Sequence, residues 1–262
     1  MRVRSTKAYR RTVLQGCVVT EACLQALGVR RPGVLFVLGH MRSGSTLLLH
    51  LLLTSPEVAS VGERNAIYAS RADLAHLAIK VRLAHRSLFG SLRYVADQVN
   101  HSQFTPVPGV LADPRVRSLF LLRRPEASLS SLLALSREYY NSSWSVARAV
   151  DYYVTRMDDL SRIAAALPSA GHAAFIRYET LTQFPQRTLE ALRGFLGLAQ
   201  GFSSHYGTHA FTGRRGDPGP TITAGVVLRK PAVADSEFGE ADLLPAVDAY
   251  HRCSEALARF AL

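Results

Sequence analysis

The segment Val34–Pro56 limits the fold more than any other part of this 262-residue chain. It begins with the apolar run Val34–Leu38, whose length and β-branched content predict a buried parallel strand. A loop bounded by Gly39 and Gly44 follows, and a leucine-rich helix then begins at Ser45. In a strand–loop–helix unit of this kind, backbone N–H groups and a helix N-terminus face a bound anion. The segment therefore predicts a phosphate site.

The spacing of the loop narrows the choice of ligand. A nucleotide-hydrolysing P-loop reads GxxxxGK[ST], with the lysine on the β- and γ-phosphates. Here Gly39, Gly44 and Thr46 match that pattern, but Ser45 stands in the lysine position and Arg42 lies inside the loop. The pattern favours a phosphate-bearing donor other than ATP. The alternative is an ordinary strand–turn–helix corner rich in small residues.

The composition is that of a globular protein with an excess of arginine. The apolar fraction is 48%, the formal net charge is +11, and the only lysines are Lys7, Lys80 and Lys230. A chain of this length forms one large α/β domain, or at most two. Its charge favours anionic partners such as nucleotides, phosphates, acidic substrates or nucleic acid. The alternative is that the arginine bias reflects genomic base composition and that much of the charge is solvated surface.

We interpret residues 1–33 as a basic N-terminal extension with one amphipathic helix, and residues 34–262 as a single α/β domain. Such a helix lies on an anionic membrane or nucleic acid in some proteins, but packing on its own domain is the favoured interpretation. No stretch has the roughly 18 consecutive apolar residues of a membrane span, and polar residues interrupt any signal-peptide core. The cysteines Cys17, Cys23 and Cys253 show no metal-ligand spacing, which indicates a reducing compartment. The cytoplasm is the expected location.

Strands and helices are predicted to alternate along the rest of the chain, which indicates a largely parallel sheet covered on both faces. Residues 201–232 are rich in Gly and Pro, and we interpret them as a functional surface loop rather than core. The further predicted strands are Val58–Val61, Val116–Leu122 and Ala173–Tyr178, and the predicted helices are about Tyr68–Val95, Ser145–Leu167, Pro185–Phe195 and Leu243–Leu262.

Four residues beyond the first loop are candidates for a site. Glu63 follows the second strand, where open α/β sheets place their ligands. Arg123 leaves the strand Val116–Leu122, and Ser131 follows eight residues later, an arrangement that suits bidentate phosphate binding. The alternative for this pair is a capped helix with surface arginines. His101 titrates near neutrality if exposed, although a lone histidine is more often structural.

Taken in order, the motifs of residues 34–230 resemble those of the sulfotransferases that use 3′-phosphoadenosine 5′-phosphosulfate (PAPS). They are an R-S-G-S-T-L loop, a downstream Glu, a strand followed by R-x-P-x-x-x-x-x-S, a strand ending Y-E-x-L, the run P-x-x-T-L-x-x-L-x-x-F-L-G-L, and a late basic G-D loop. Each motif alone is weak, but their order and spacing are specific. The first loop and Gly62-Glu63 look most similar to the tyrosylprotein and carbohydrate branches and to bacterial members of undefined substrate. The resemblance implies a P-loop NTPase-like three-layer sandwich with a central, mostly parallel sheet.

The resemblance also implies the roles of individual residues. Glu63 is then the catalytic base, Arg42 stabilises the leaving oxygen, and His101 lies near the position of the catalytic histidine in cytosolic members. Relatives commonly carry an Asp-Lys pair before the third strand, and the lysine assists at the bridging oxygen. This chain has Asp97-Gln98 instead, so either Arg42 alone assists there or the activity is low. No metal is expected. The implied donor contacts are Arg42, Ser43, Gly44, Ser45, Thr46 and Leu47 with the 5′-phosphosulfate, Arg123 and Ser131 with the 3′-phosphate, Tyr178 near the nucleotide, and Arg214, Arg215 and Gly216 in a late closing loop.

The implied reaction is transfer of the sulfuryl group from PAPS to a hydroxyl of a carbohydrate, a lipid or a natural product. Acceptor specificity is expected in residues 64–100 and in a loop where Tyr139, Tyr140 and Trp144 line a pocket or belong to the core. The alternative enzyme is a P-loop phosphotransferase, which Ser45 argues against. The main non-enzyme alternative is a basic nucleotide- or nucleic-acid-binding module, such as a sulfotransferase-like protein that has lost catalysis. No specific nucleic acid is expected, and the basic N-terminus is compatible with membrane-surface contact.

Overall fold

A five-stranded sheet forms the centre of the fold, and every neighbouring pair of its strands is parallel. The computed structural model describes residues 2–86, 92–139, 144–168, 170–214, 219–228 and 238–262. The parallel pairing confirms the predicted α/β class with a mostly parallel central sheet. In order across the sheet, the strands are β2 (Val58–Ser60), β3 (Tyr94–Val99), β1 (Gly33–Leu38), β4 (Val116–Leu122) and β5 (Ala173–Arg177).

The strand order opens a crevice between the carboxyl ends of β1 and β4. The chain leaves β1 toward the β2 edge of the sheet and leaves β4 toward the β5 edge, so the two connections diverge. Open α/β sheets bind ligands at such a point. Gly39 is the first residue after β1, and Arg123 is the first residue after β4. The topology therefore brings both of them to one crevice.

Helices cover both faces of the sheet and give three layers. The helices are α1 (Arg2–Ala26), α2 (Ser45–Leu52), α3 (Arg71–Ala84), α4 (Pro108–Leu111), α5 (Pro125–Tyr139), α6 (Val146–Ala166), α7 (Tyr178–Gln183), α8 (Pro185–Leu196) and α9 (Glu240–Leu257), with 3₁₀ turns at Ser102–Phe104, Ala170–His172, Pro220–Ala224 and Ala258–Phe260. On one face, Phe36 of β1 belongs to a core shared with α3, α5, α6 and α9. On the other face, Leu35 belongs to a core shared with α2, α7 and α8.

The predicted helix from about Tyr68 to Val95 is wrong in its second half. The helix ends at Ala84, and Tyr94–Val99 forms β3, which is buried along its whole length. The polarity of Asp97 and Gln98 concealed this strand. Asp97 accepts from the backbone N–H of Arg64 and the Gln98 amide N–H donates to Glu63, and these hydrogen bonds offset part of the cost of burying the two side chains. The strands predicted third and fourth are consequently β4 and β5.

The other long helices confirm the predictions from apolar periodicity. The helix predicted at Ser145–Leu167 is α6, and the Ser145 hydroxyl caps it by accepting from the backbone N–H of Arg148. The helix predicted from Pro185 is α8, which ends at Gly197 in the left-handed conformation that favours glycine at this position. The last predicted helix is α9.

The basic N-terminal segment forms α1, which packs against α3. Arg10 of α1 donates to the buried Asp73 of α3 at 2.7 Å, and Arg31 pairs with the buried Glu21. These ion pairs attach the helix to the rest of the chain. In the described part of the chain, no helix combines the length and the apolar character needed to cross a bilayer. The division at residue 33 and contact with a membrane surface stay predictions.

Candidate active site

The loop between β1 and α2 has a backbone that few side chains tolerate. Arg42 has a φ of 67° and Gly44 a φ of 92°, both in the left-handed region. The ring of Tyr178 packs directly on Gly44, where a Cβ would lie 2.4 Å from Cδ2 of the ring. Glycine is therefore required at position 44 by the backbone and by the close approach. Because α2 begins at Ser45, the backbone N–H groups of its first turn lack intrahelical acceptors and lie at the end of the loop, where a helix N-terminus favours an anion.

Gly44→Ala is expected to destabilise the protein and weaken phosphate binding together. The left-handed backbone costs a residue with a Cβ about 1–2 kcal/mol, and displacement of the Tyr178 ring adds to that cost. Thermal unfolding and nucleotide titration measure the two effects. The matched control is Gly194→Ala inside α8, where nothing lies within 4 Å of the added Cβ, and alanine there should stabilise by about 0.5–1 kcal/mol. Equal behaviour of the two variants would contradict the requirement for glycine at 44.

One cleft collects most of the predicted site residues. It lies at the carboxyl ends of the strands, between the loop after β1 and the start of α5. Its wall combines cations and hydroxyls with apolar side chains, and Glu63 is its only carboxylate among the residues that the structure describes. The lining residues are Met41, Arg42, Gly44, Ser45, Thr46, Leu47, Glu63, Asn100, His101, Arg123, Leu135, Tyr178, Tyr206, Thr221, Ile222, Val226 and Leu228.

Two arginines converge on the loop. Arg42 Nε donates to the Ser131 hydroxyl at 2.8 Å, and Arg123 Nη1 donates to the Arg42 carbonyl at 3.1 Å. The Arg123 guanidinium also lies over the Tyr178 ring, 4.5 Å from its centroid. Ser131 does not line the cleft but orients Arg42. Ser43 is buried behind the loop, and its hydroxyl has no partner among the described residues. The arrangement places two positive charges beside the start of α2.

Glu63 is held beside the cleft by two amides. Asn100 Nδ2 donates to Oε1 at 3.2 Å, and Gln98 Nε2 donates to Oε2 at 3.4 Å. Burial raises the pKa of the Glu63 carboxyl, and the two amide hydrogen bonds oppose that rise. A carboxylate with a raised pKa binds a proton more readily than an exposed one. Gln98, at the position where the resembled family carries lysine, is thus a hydrogen-bond donor to Glu63.

A buried carboxyl group supports the backbone next to Glu63. Asp97 Oδ1 accepts from the backbone N–H of Arg64 at 3.1 Å, and the Tyr68 hydroxyl donates to the other carboxylate oxygen. Burial raises the pKa of Asp97 to about 7, and the Tyr68 hydrogen bond opposes that rise. Asp97 therefore fixes the chain immediately after Glu63 from the neighbouring strand β3.

His40 and His101, which follow β1 and β3, are neutral at neutral pH. Burial, and then the positive charge of Arg156, lowers the pKa of His101, which lines the cleft with its ring against Phe104 and Tyr152. Burial lowers the pKa of His40 to about 3. His40 Nδ1 donates to the Met41 carbonyl, and its Nε2 accepts from the backbone N–H of Arg123. His101 is therefore a neutral imidazole in the cleft, and His40 is a structural link behind it.

Part of residues 201–232, the late segment, is buried rather than exposed. The interpretation of residues 201–232 as surface rather than core is wrong in part, because Tyr206, Phe211 and Ile222 are buried in the core of the α2 face. The apolar side chains of these three residues, within a Gly- and Pro-rich segment, were the sequence feature that could have predicted their burial. Arg214 is exposed and does not line the cleft. The other two residues predicted here, Arg215 and Gly216, lie outside the described residues, as do Tyr140 and the side chain of Tyr139 in the predicted acceptor loop.

A histidine connects this segment to the first turn of α2. His50 of α2 is buried, and its Nδ1 donates to the Thr46 carbonyl at 2.8 Å. Its Nε2 therefore accepts from the Thr212 hydroxyl, also at 2.8 Å. Phe211 packs on Gly62, where a Cβ would lie 2.7 Å from its ring. These contacts hold the late segment against both the loop helix and the residue that precedes Glu63.

Comparisons with known proteins show which fold this is. No family model matches the chain, and no curated protein sequence matches it. Among solved structures, a sulfotransferase from Alicyclobacillus acidocaldarius is 15% identical with a TM-score of 0.53, and the match covers 88% of this chain and 97% of that one. The sulfotransferase domain of the Synechococcus PCC 7002 olefin synthase is 17% identical with a TM-score of 0.51, over 85% of this chain and 96% of that one. The chain thus has the sulfotransferase fold, and the resemblance seen in the motifs is confirmed at the level of the fold.

Proposed function

We propose that this protein is a PAPS-dependent sulfotransferase that transfers the sulfuryl group to an acceptor hydroxyl. The observation that carries the proposal is the cleft in which the loop between β1 and α2, Arg42 and Arg123 face Glu63, the one carboxylate that the described residues contribute to its wall. The cations and helix N-terminus suit a donor with several negative charges. Glu63 suits removal of a proton from an uncharged acceptor. The shared fold with sulfotransferases supports the same reaction class.

The residues present fit the donor. In the proposal, the N–H groups of Ser45, Thr46 and Leu47 and the Arg42 side chain bind the 5′-phosphosulfate, because they surround the space enclosed by the loop. Arg123, at the exit of β4, binds the 3′-phosphate. Tyr178 supports both, since its ring contacts Gly44 and lies under the Arg123 guanidinium. The assignment of Ser131 to the 3′-phosphate and of Arg214, Arg215 and Gly216 to a closing loop stays a prediction.

The proposed mechanism is an in-line displacement assisted by charge and by one base. The acceptor oxygen forms a bond to sulfur, its proton passes to Glu63, and the bond between sulfur and the bridging phosphate oxygen breaks. Arg42 and the loop N–H groups stabilise the charge that develops on the leaving phosphate, as fixed donors do in phosphoryl transfer. Positioning and electrostatics dominate this type of reaction. We assign Glu63 as the base, because its pKa is raised, and keep His101 as the second candidate.

Isothermal titration with adenosine 3′,5′-bisphosphate tests the proposal, with adenosine 5′-monophosphate and ATP–Mg²⁺ as controls. Micromolar binding of the bisphosphate, at least tenfold tighter than either control, is the expected result. A preference for ATP–Mg²⁺ would favour the phosphotransferase. Tight bisphosphate binding without turnover of PAPS, over a broad panel of alcohols, phenols and sugars, would identify a protein that has lost catalysis. Binding of none of the three would overturn the donor assignment.

The pH dependence of transfer should show an acidic limb set by Glu63. The carboxylate is active when ionised, so kcat/KM should fall as the pH decreases through its raised pKa, above the usual value of 4.5. Asn100→Ala removes a hydrogen bond that lowers this pKa, so the limb should move to higher pH. The pH profile of Asp97→Asn shows whether Glu63 or Asp97 sets the acidic limb, because a limb set by Glu63 persists in that variant. Disappearance of the limb in Asp97→Asn would assign it to Asp97 instead.

A further inference from the structure

Helix α6 runs beneath the crevice and sends polar side chains to the ends of three strands. The Tyr152 hydroxyl accepts from the backbone N–H of Met41 at 2.8 Å and donates to the Asn100 carbonyl at 2.8 Å. Met41 lies in the phosphate loop, and Asn100 follows β3. The neighbouring Tyr153 hydroxyl donates to the Arg123 carbonyl, after β4, at 2.7 Å. The helix thus connects the backbones from which the candidate donor and base residues project.

Arg156 makes the most central of these connections. Its side chain is fully buried, one helical turn after Tyr152 on the same face. Nε donates to the Gly39 carbonyl and Nη2 to the Val99 carbonyl, both at 2.7 Å, while Nη1 donates to the Thr105 hydroxyl at 3.0 Å. The planar guanidinium therefore spans the carboxyl ends of β1 and β3. It fixes the start of the phosphate loop relative to the strand end that carries Asn100 and His101.

The charge of Arg156 has no carboxylate counter-ion among the residues that the structure describes. Burial lowers the pKa of Arg156 only to about 10, so the side chain stays protonated at neutral pH. A buried cation compensated only by carbonyl and hydroxyl oxygens is unfavourable unless an anion approaches. The positive charge of Arg156 also affects the cleft. It is the second cause, smaller than burial, that lowers the pKa of His101.

We propose that Arg156 is a positioning residue whose buried charge also strengthens binding of the donor's 5′-phosphate group in the loop. The inference rests on the proposed function. Its guanidinium sets the spacing between the loop and β3 through two carbonyl oxygens. Its positive charge, left without a carboxylate, adds to the potential that the helix N-terminus and Arg42 create at the loop. Binding of the anionic donor then compensates a charge that the folded protein otherwise holds at a cost.

The test compares two nucleotides that differ only in the 5′-phosphate. Adenosine 3′,5′-bisphosphate and adenosine 3′-monophosphate are titrated into wild type, Arg156→Met and Arg156→Lys. The ratio of their dissociation constants measures the contribution of the 5′-phosphate. We expect Arg156→Met to reduce this ratio about tenfold, the effect of one charge-assisted interaction. Arg156→Lys, which keeps the charge, should restore most of the ratio. Arg162→Met is the matched control, because Arg162 is an exposed residue of the same helix.

The results separate a charge effect from a purely structural one. A structural role alone would lower the ratio in Arg156→Lys as much as in Arg156→Met, because neither side chain spans the Gly39 and Val99 carbonyls. That outcome, or an unchanged ratio in both variants, would overturn the inference while leaving the proposed function intact. Wild-type protein that binds neither nucleotide would overturn both. If Arg156→Met does not fold, as judged by thermal unfolding, Arg156→Gln replaces it as the neutral variant, because its amide still donates to one carbonyl. An unchanged ratio in Arg156→Gln would then be decisive against the charge effect.

Discussion

Glu63→Gln is expected to reduce the rate of sulfuryl transfer by about 10²–10⁴-fold, the usual contribution of a positioned general base. The amide keeps the shape of the carboxylate but cannot accept the acceptor proton. Nucleotide affinity should stay within about threefold of wild type, because Glu63 contacts Gln98 and Asn100 rather than the cations of the loop. Single-turnover release of the bisphosphate from PAPS, with an acceptor from the screened panel, measures the first effect, and titration measures the second.

The stability of this variant offers an independent check. In Glu63→Gln, the side-chain amide of either Gln98 or Asn100 faces an N–H group of the new amide and loses its hydrogen bond. Loss of a buried hydrogen bond lowers the free energy of unfolding by about 1–3 kcal/mol. Glu255→Gln, on the exposed face of α9, is the control and should leave both rate and stability unchanged. Full activity of Glu63→Gln would transfer the role of base to His101, to be tested with His101→Asn.

The second large effect is expected from Arg123→Ala, which should weaken binding of adenosine 3′,5′-bisphosphate about 100-fold. Hydrogen bonds to charged groups contribute about 1.5–3 kcal/mol each, and a guanidinium contacts a phosphate through two of them. The variant also removes the donor to the Arg42 carbonyl and the contact with the Tyr178 ring. Affinity for adenosine 5′-monophosphate, which has no 3′-phosphate, should fall much less.

The neighbouring Arg124 is the matched control for this prediction. Its side chain is exposed outside the cleft, so Arg124→Ala should bind both nucleotides as wild type does. A similar loss of affinity for both nucleotides in Arg123→Ala would indicate that Arg123 maintains the loop rather than the 3′-phosphate site. Unchanged affinity for the bisphosphate would remove Arg123 from the donor site altogether.

The apolar half of the cleft is where substrate selection is expected to occur. Tyr206, Ile222 and Val226 come from the late segment, while Leu47 comes from the loop helix. Uncharged ring systems, either of the nucleotide or of an acceptor, suit such a wall.

Local patterns were sufficient for most elements of the fold. The apolar runs of β1, β4 and β5 and the amphipathic periods of α6 and α8 are properties of short segments, and the structure confirms them. The same reasoning failed at β3. Asp97 and Gln98 look like a polar connection until their partners from other elements, the backbone of Arg64 and the side chain of Glu63, are known.

Local spacing alone specified the loop between β1 and α2, because Gly39, Gly44 and the following helix lie within a few covalently linked residues. The sequence also indicated that Glu63 and Arg123 follow shortly after buried strands. The position of β3 between β2 and β1, which brings Asn100 and Gln98 to Glu63, emerged only in the folded sheet. The same holds for the strand ends that α6 contacts through Tyr152 and Arg156. These contacts join residues far apart in the chain, so their partners are set by the packing of the whole domain rather than by any local pattern.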